Sequence, residues 1–453
     1  MAERNPGGEK MNSGDRLEQI KEEIFDKISE YYRVKGYEEF VPGKSRINYA
    51  GAIFDDREVV SVVDSLLKGW FGLGSKAREF SKRFSEYLGV YKTVLVNSGS
   101  SANLLALTSL TSNKLDDPIK RGDEVITPAV TFPTTLNPII QNSLIPVLVD
   151  VDLETLNIDV EILKEAITSK TKAIMLPHTL GNPNDMDAII DVVEDYNLYL
   201  IEDNCDALGS EFNGKKTGSF GILSTCSFYP AHHITMGEGG AVSIVEENVK
   251  LYRVVRSLRD WGRDCWCESD EKSPYGACGR RFEWFVDGVK YDHRYIYSHI
   301  GYNLKPTEMQ AAVGVEQIKR IEDFNSIRRR NFEYLYGNLR KYEEYLIFVK
   351  KHRKANPAWF AFPITVREDA PFTREDIVRY LENKGIQTRL IFAGDIRKQP
   401  AYRDCKFRSV GSMKNTEYIM RNSFFIGVYP GIDENKLRYI VDAFEAFFEG
   451  VNG

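Results

Sequence analysis

The sequence predicts an α/β protein, with a large domain on a mostly parallel seven-stranded sheet and a small C-terminal α+β domain. Three observations carry this reading. Between Thr93 and Ile244 short apolar runs alternate with helical patterns, as in a parallel sheet covered on both faces. The candidate strands are Thr93 to Val96, Glu124 to Thr127, Val147 to Val151, Ala173 to Leu176, Tyr199 to Glu202, Thr225 to Phe228 and Ala241 to Val245. At 453 residues, 42% of them hydrophobic, the chain is long enough for two cores. Beyond it, Lys305 to Tyr342 reads as a long helical connection into a smaller unit, with strands near Phe360 to Thr365, Gln387 to Phe392 and Phe424 to Tyr429.

The first residues, 1–14, are polar and lack a periodic apolar face, which predicts disorder. From Leu17 the apolar residues Leu17, Ile20, Ile24, Ile28 and Tyr31 recur at three and four, predicting a helix of about five turns with one face packed inward. The expected organisation is therefore a helical extension over 15–47, a large domain over 48–310, and a connecting helix with the small domain over 311–453. A net charge of −6 without a basic tract argues against nucleic acid as a partner. No apolar run approaches the ~20 residues that span a bilayer, and the start lacks a signal-peptide core, so a cytoplasmic protein without a membrane partner is expected.

In open α/β sheets ligands collect beyond the carboxyl ends of the strands. The loop Asn97-Ser-Gly-Ser-Ser-Ala-Asn103 sits at such an end, before a helical run. A Gly/Ser turn at a helix N-terminus offers backbone N–H groups, hydroxyls and a positive dipole end, making Gly99, Ser100 and Ser101 candidates for holding a phosphate; simple helix capping is the plainer alternative.

A second stretch is more specific. Ser227-Phe-Tyr-Pro-Ala-His-His-Ile-Thr-Met-Gly-Glu-Gly-Gly240 resembles the cofactor-lysine loop of the DegT/DnrJ/EryC1/StrS sugar aminotransferases, which have the aspartate-aminotransferase fold (fold type I of the pyridoxal-phosphate enzymes). His232 stands where that family has its lysine. Only a primary amine forms the Schiff base that shuttles an amino group, whereas imidazole moves a proton near neutral pH. The resemblance runs from Asn48 to the C-terminus and implies a role for further residues. Asp203, in Leu200-Ile-Glu-Asp-Asn-Cys-Asp206, would hold the pyridine nitrogen of pyridoxamine 5′-phosphate (PMP/PLP). Phe132 would stack on the ring, Asp206 would lie near its hydroxyl, and Ser227 would contact the phosphate. Asn303, in His299-Ile-Gly-Tyr-Asn303, would reach the phosphate of the neighbouring subunit in a homodimer. Arg389 resembles a basic residue that contacts the diphosphate of a nucleotide-sugar substrate; a solvated arginine is the alternative.

The six cysteines of so long a chain do not suggest a disulfide framework. Four form a pattern: Cys205, Cys265-Trp266-Cys267 and Cys278, within an insertion over about 259–282. This resembles the [2Fe–2S] motif of the CDP-4-keto-6-deoxyglucose 3-dehydrase group, with Ser269 to Ala277 as an added loop. Four thiolates suit iron–sulfur or structural zinc. Iron–sulfur is favoured because Cys205 lies two residues beyond Asp203, on the same side of an extended segment at about 7 Å, close to the cofactor. Cys226 and Cys405 are expected as buried small residues, and His233 as a structural neighbour.

Together these resemblances imply an enzyme that removes the C3 hydroxyl of a nucleotide-linked 4-keto-6-deoxyhexose, CDP-linked by analogy, on the way to a 3,6-dideoxysugar. Its electrons would come from an NAD(P)H-dependent flavin reductase through the [2Fe–2S] cluster. Such sugars serve lipopolysaccharide O-antigen or glycosylated natural-product pathways. The rivals are a cluster-free dehydratase regenerated by glutamate, an aminotransferase, which would need a lysine at 232, and a non-catalytic zinc-stabilised scaffold. Lys215 and Lys216 are poor replacements because their loop already fills another place in the family pattern.

Overall fold

The computed structural model describes residues 13–36, 38–265, 267 and 279–452. The expected disorder over 1–12, the added loop Ser269 to Ala277 and Cys278 lie outside the described residues, whereas Ser13 and Gly14 begin a helix.

All seven predicted strands form, within one residue or two of the expected ends. They are β1 (Lys92–Val96), β2 (Glu124–Pro128), β3 (Ile145–Val149), β4 (Thr171–Pro177), β5 (Tyr199–Asp203), β6 (Leu223–Ser227) and β7 (Gly240–Ile244). A hairpin follows, β8 (Trp284–Val286) and β9 (Val289–Tyr291). The small sheet is antiparallel, β10 (Leu346–Phe348), β11 (Ala361–Val366) and, after the short β12 (Arg408–Val410), β13 (Ser423–Gly427), in the order β10-β11-β13.

The large sheet has eight strands in the order β1-β7-β6-β5-β4-β2-β3-β12, and only β7 runs against the rest. That reversal follows from the short connection between β6 and β7, which returns the chain beside the strand it has just left; His232 sits in this connection. The eighth strand, β12, pairs parallel with β3, so a segment of the C-terminal region closes the edge of the large sheet.

Strands of the large sheet are apolar on both faces because helices cover both. One face packs on Gly99–Leu110 and Val249–Arg259, burying Leu105, Leu107, Val242 and Leu251; the other buries Ile126, Val147, Ile174 and Leu200. Phe228 is completely buried, with its ring nearly perpendicular to Phe80 and Phe84 at 5.2 and 5.4 Å. Each such pair contributes about 0.5–1.5 kcal/mol beyond burial, which anchors the start of the loop carrying His232.

Three expectations are corrected. The segment Gln387 to Phe392 is not a strand; it makes one antiparallel bridge, Arg389 to Phe425, because the turn at Gly394 draws it away from β13. The stretch Lys305 to Tyr342 is two helices, Glu308–Ile318 and Ile321–Leu339, and a 3-10 turn at Arg340–Tyr342. The helix Ser13–Lys35 forms but buries no residue, and Leu17, Ile20 and Tyr31 are exposed. Its neighbour is the helix Asp56–Leu67, reached by Ser29 Oγ to Asp56 (2.5 Å) and Lys21 to Asp64 (3.1 Å), so only one side is covered. Among the described residues, no helix is long and apolar enough to cross a membrane.

Candidate active site

A cavity of about 890 Å³ opens where the carboxyl ends of β1, β2, β4, β5 and β6 meet the C-terminal region. Gly99, Ser100, Phe132, Asp203, Cys205, Asp206, Ser227, His232 and Arg389 all line it, so residues spread over 290 positions of sequence converge there. Among the described residues, no lysine lines it.

Asp203 ends β5 with a carboxylate that is 6% exposed. Its Oδ2 accepts from Asn103 Nδ2 (2.8 Å) and the Thr135 hydroxyl (2.7 Å), while Oδ1 accepts the Cys205 N–H (3.3 Å). Asn103 is in turn fixed by the Thr225 hydroxyl, which donates to its Oδ1 at 2.6 Å. Each hydrogen bond to a charged group contributes about 1.5–3 kcal/mol, so the carboxylate is held in one orientation. Asn103 and Thr135 were not singled out from the sequence. For Asn103 a signal existed, since it lies four residues after Gly99 and so on the same helix face.

At one end of the cavity, Ser98 caps the helix Gly99–Leu110 by accepting the Ser101 N–H at 3.1 Å. Gly99 and Ser100 face the cavity, whereas Ser101 is occupied with this cap and is not among the lining residues. A side chain at Gly99 would overlap the Ser227 Cβ, so the helix N-terminus and the end of β6 approach as closely as glycine allows. That cradle suits a phosphate. Phe132 is half-exposed on the wall, edge-on to Phe392 at 6.4 Å.

His232 and Asp206 face each other, Nδ1 to Oδ1 at 3.5 Å, with side chains 16% and 13% exposed. Burial depresses His232 to a pKa of about 4. Burial, and then the neighbouring charge of Asp203, raises Asp206 to about 8. At neutral pH the imidazole is therefore an unprotonated base, and the proton of the pair resides on Asp206. Behind them lies the fully buried Arg328, which donates to the carbonyls of His232 (3.2 Å) and Phe360 (3.1 Å) and so fixes the loop backbone. His233 points elsewhere, its Nε2 donating to the Ala358 carbonyl at 2.6 Å.

Arg389 reaches the cavity rim with its guanidinium 4.5 Å from the Tyr49 ring centre. Asn303 is exposed, bridges to Asp260 and does not line the cavity of its own chain. Lys215 and Lys216 lie outside the cavity, Lys216 paired with Glu211 and Glu322 at 3.4 Å each.

The cysteines divide. Cys205 lies on the cavity wall in a turn, not in an extended segment, so the expected 7 Å offset from Asp203 does not apply. Cys265 and Cys267 meet His293 instead, their ligand atoms all within 4.8 Å of one another; Cys205 is not in that group. Cys226 is buried as expected, whereas Cys405 is only half-buried because it sits on a turn at the edge of the core.

The description of the DegT/DnrJ/EryC1/StrS aminotransferase family matches residues 53–445. The chain is 45% identical over 437 residues to the lipopolysaccharide biosynthesis protein RfbH of Salmonella typhimurium, covering 96% of this chain and 99% of that one. It is 44% identical over 430 residues to the dTDP-4-dehydro-2,6-dideoxy-D-glucose 3-dehydratase of Saccharopolyspora spinosa, covering 94% and 92%. Among solved structures, an E. coli GDP-4-keto-6-deoxy-D-mannose-3-dehydratase with bound hydrated PLP superposes with a TM-score of 0.77 at 31% identity, covering 88% of this chain and 99% of that one. The chain is thus a member of the DegT/DnrJ/EryC1/StrS aminotransferase family, built on fold type I of the PLP-dependent enzymes.

Proposed function

We propose that this protein is a PMP-dependent 3-dehydratase of a nucleotide-linked 4-keto-6-deoxyhexose, acting in dideoxysugar biosynthesis. The observation that carries the reading is the cavity itself: it has a helix N-terminus for a phosphate and a fixed carboxylate for a ring nitrogen, but a histidine and, among the described residues, no lysine beside them. Two relatives bear the names of 3-dehydratases acting on 4-keto sugars, and a third that of a lipopolysaccharide biosynthesis protein. When bound, PMP supplies an amino group that conjugates with the 4-keto carbonyl and a ring that accepts electrons.

The chain supplies the rest. Asp203 would hold the ring nitrogen, and Asn103 and Thr135 keep its carboxylate from turning away. Gly99, Ser100 and Ser227 would take the phosphate, with Asn303 contributed across a homodimer, Ser101 being held in the helix cap instead, and Phe132 would face the ring. His232, neutral at working pH on the cavity wall, would be the base that accepts a proton from bound PMP, the group that would activate the sugar for loss of its C3 hydroxyl. Protonated Asp206 adds no second negative charge beside Asp203. Arg389 receives the diphosphate of the nucleotide.

The cysteine arm is read as an iron–sulfur centre on Cys265, Cys267 and Cys278, with Cys205 as the fourth candidate, accepting electrons from a flavin reductase. Its donor chemistry fits, since two sulfurs two residues apart already share one space. The position of Cys205 outside that group favours a second reading, a dehydratase without a cluster that is regenerated by glutamate.

Absorption and EPR spectra of anaerobically purified protein, with iron, sulfide and zinc analysis, separate the two. Iron and sulfide in equal amounts with an EPR signal on reduction support the cluster. Zinc without sulfide removes the electron-transfer step and leaves the glutamate-dependent dehydratase.

A further inference from the structure

We infer that His293 tunes the cysteine centre by donating its Nε2–H to the sulfur of Cys267, an inference that rests on the iron–sulfur reading above. The imidazole nitrogen lies 3.9 Å from that sulfur, and with Cys265 the three ligand-type atoms lie within 4.8 Å of one another. The approach is built, not incidental. His293 is 4% exposed and begins a short 3-10 turn, His293–Tyr295. Its own N–H donates to the Arg281 carbonyl at 3.0 Å. The preceding Asp292 caps the turn through the Arg294 N–H (3.0 Å) and is gripped by Arg281 Nε (2.6 Å). The ring stacks on Trp284 with centres 5.7 Å apart and planes 21° from parallel. The cysteine segment is pinned to the same turn, because the Asp264 N–H donates to the Ile296 carbonyl at 2.8 Å and Arg263 bridges to Tyr297.

A metal-bound thiolate carries no proton, so the direction of this contact is set: the ring nitrogen donates and the sulfur accepts. A hydrogen bond to a cluster sulfur stabilises the reduced state, which carries one more negative charge, and so raises the reduction potential. His293 is therefore a positioning residue that would make a bound centre easier to reduce.

The test uses the full chain loaded anaerobically with ferrous iron and sulfide. His293→Phe keeps a ring for Trp284 and removes the donor; His293→Gln restores a donor without the ring. Expected is His293→Phe with the wild-type iron and sulfide content and a lower midpoint potential. At the wild-type midpoint its ratio of reduced to oxidised centres falls about tenfold, equivalent to about 60 mV for one electron. His293→Gln recovers part of the shift. A cluster-loaded His293→Phe with an unchanged potential overturns the inference and leaves the iron–sulfur reading intact. Loss of iron and sulfide from both variants overturns it in favour of direct ligation by His293. Wild-type protein that takes up no iron and sulfide overturns the reading and the inference together.

Discussion

Replacing Asp206 by asparagine removes one proton site from the His232 pair, and the structure fixes how stability then depends on pH. In the folded cofactor-free protein Asp206 titrates near 8 against an ordinary value of 3.8, and His232 near 4 against 6.5. Between pH 4 and 6.5 the folded state holds a proton on Asp206 that the unfolded chain has lost, while the unfolded chain gains one on His232. These slopes have opposite sign and cancel. Between pH 6.5 and 8 only Asp206 remains, the folded state binds more protons, and stability falls as pH rises. Over these 1.5 units, at about 1.36 kcal/mol per unit, the loss is about 2 kcal/mol. The Asp206→Asn protein lacks this term, so relative to the wild type its stability gains steadily from pH 4 to 8. Urea unfolding of both proteins at pH 4.5, 6.5 and 8.0 reads the difference, in which other titrations cancel. Equal changes in both proteins from pH 6.5 to 8 would refute the assignment of the proton to Asp206.

The other predictions concern the cofactor cavity. Gly99→Ala places a methyl group into Ser227, and PMP affinity should fall at least tenfold in an absorbance titration while circular dichroism is retained. Asp203→Asn keeps the size of the side chain but loses its charge, and turnover should fall about 10²–10³-fold at saturating PMP. His232→Lys restores an amine at the cavity wall and should give a cofactor link to PLP that borohydride fixes and mass spectrometry locates at position 232; failure to form that link would mean that position 232 does not reach the cofactor.

The seven strands were legible because both faces are buried, which turns each into a short apolar run between turns. The eighth, Arg408-Ser-Val410, was not: it is three residues long at an edge, and its first side chain pairs with Glu124 at 2.8 Å instead of entering the core. Gln387 to Phe392 reads as a strand because Ile391 is buried and its neighbours alternate, but Leu390 stays exposed and the ladder ends after one bridge. In the site, Asp203 and His232 could be found because a loop motif surrounds each. The groups that position them could not, since Thr135 meets Asp203 across 68 residues and Arg328 meets His232 across 96. Periodicity places a residue on a face but says nothing about which distant loop that face meets. His293 escaped for the same reason, because its approach to Cys267 depends on the hairpin between them folding back.

The most direct test of the central claim is product analysis after PMP-loaded protein meets a nucleotide-linked 4-keto-6-deoxyhexose, with the cofactor recovered afterwards. The histidine-for-lysine cavity leads to a sugar that has lost its C3 hydroxyl, and the two electrons this takes come from an added reductant, which leaves PMP, or from the cofactor's own amine, which leaves PLP and ammonia; deuterium placed on the PMP methylene is exchanged into solvent by wild type and kept by His232→Asn. An amino sugar together with PLP would mean that the protein transaminates without a cavity lysine, and would contradict the account.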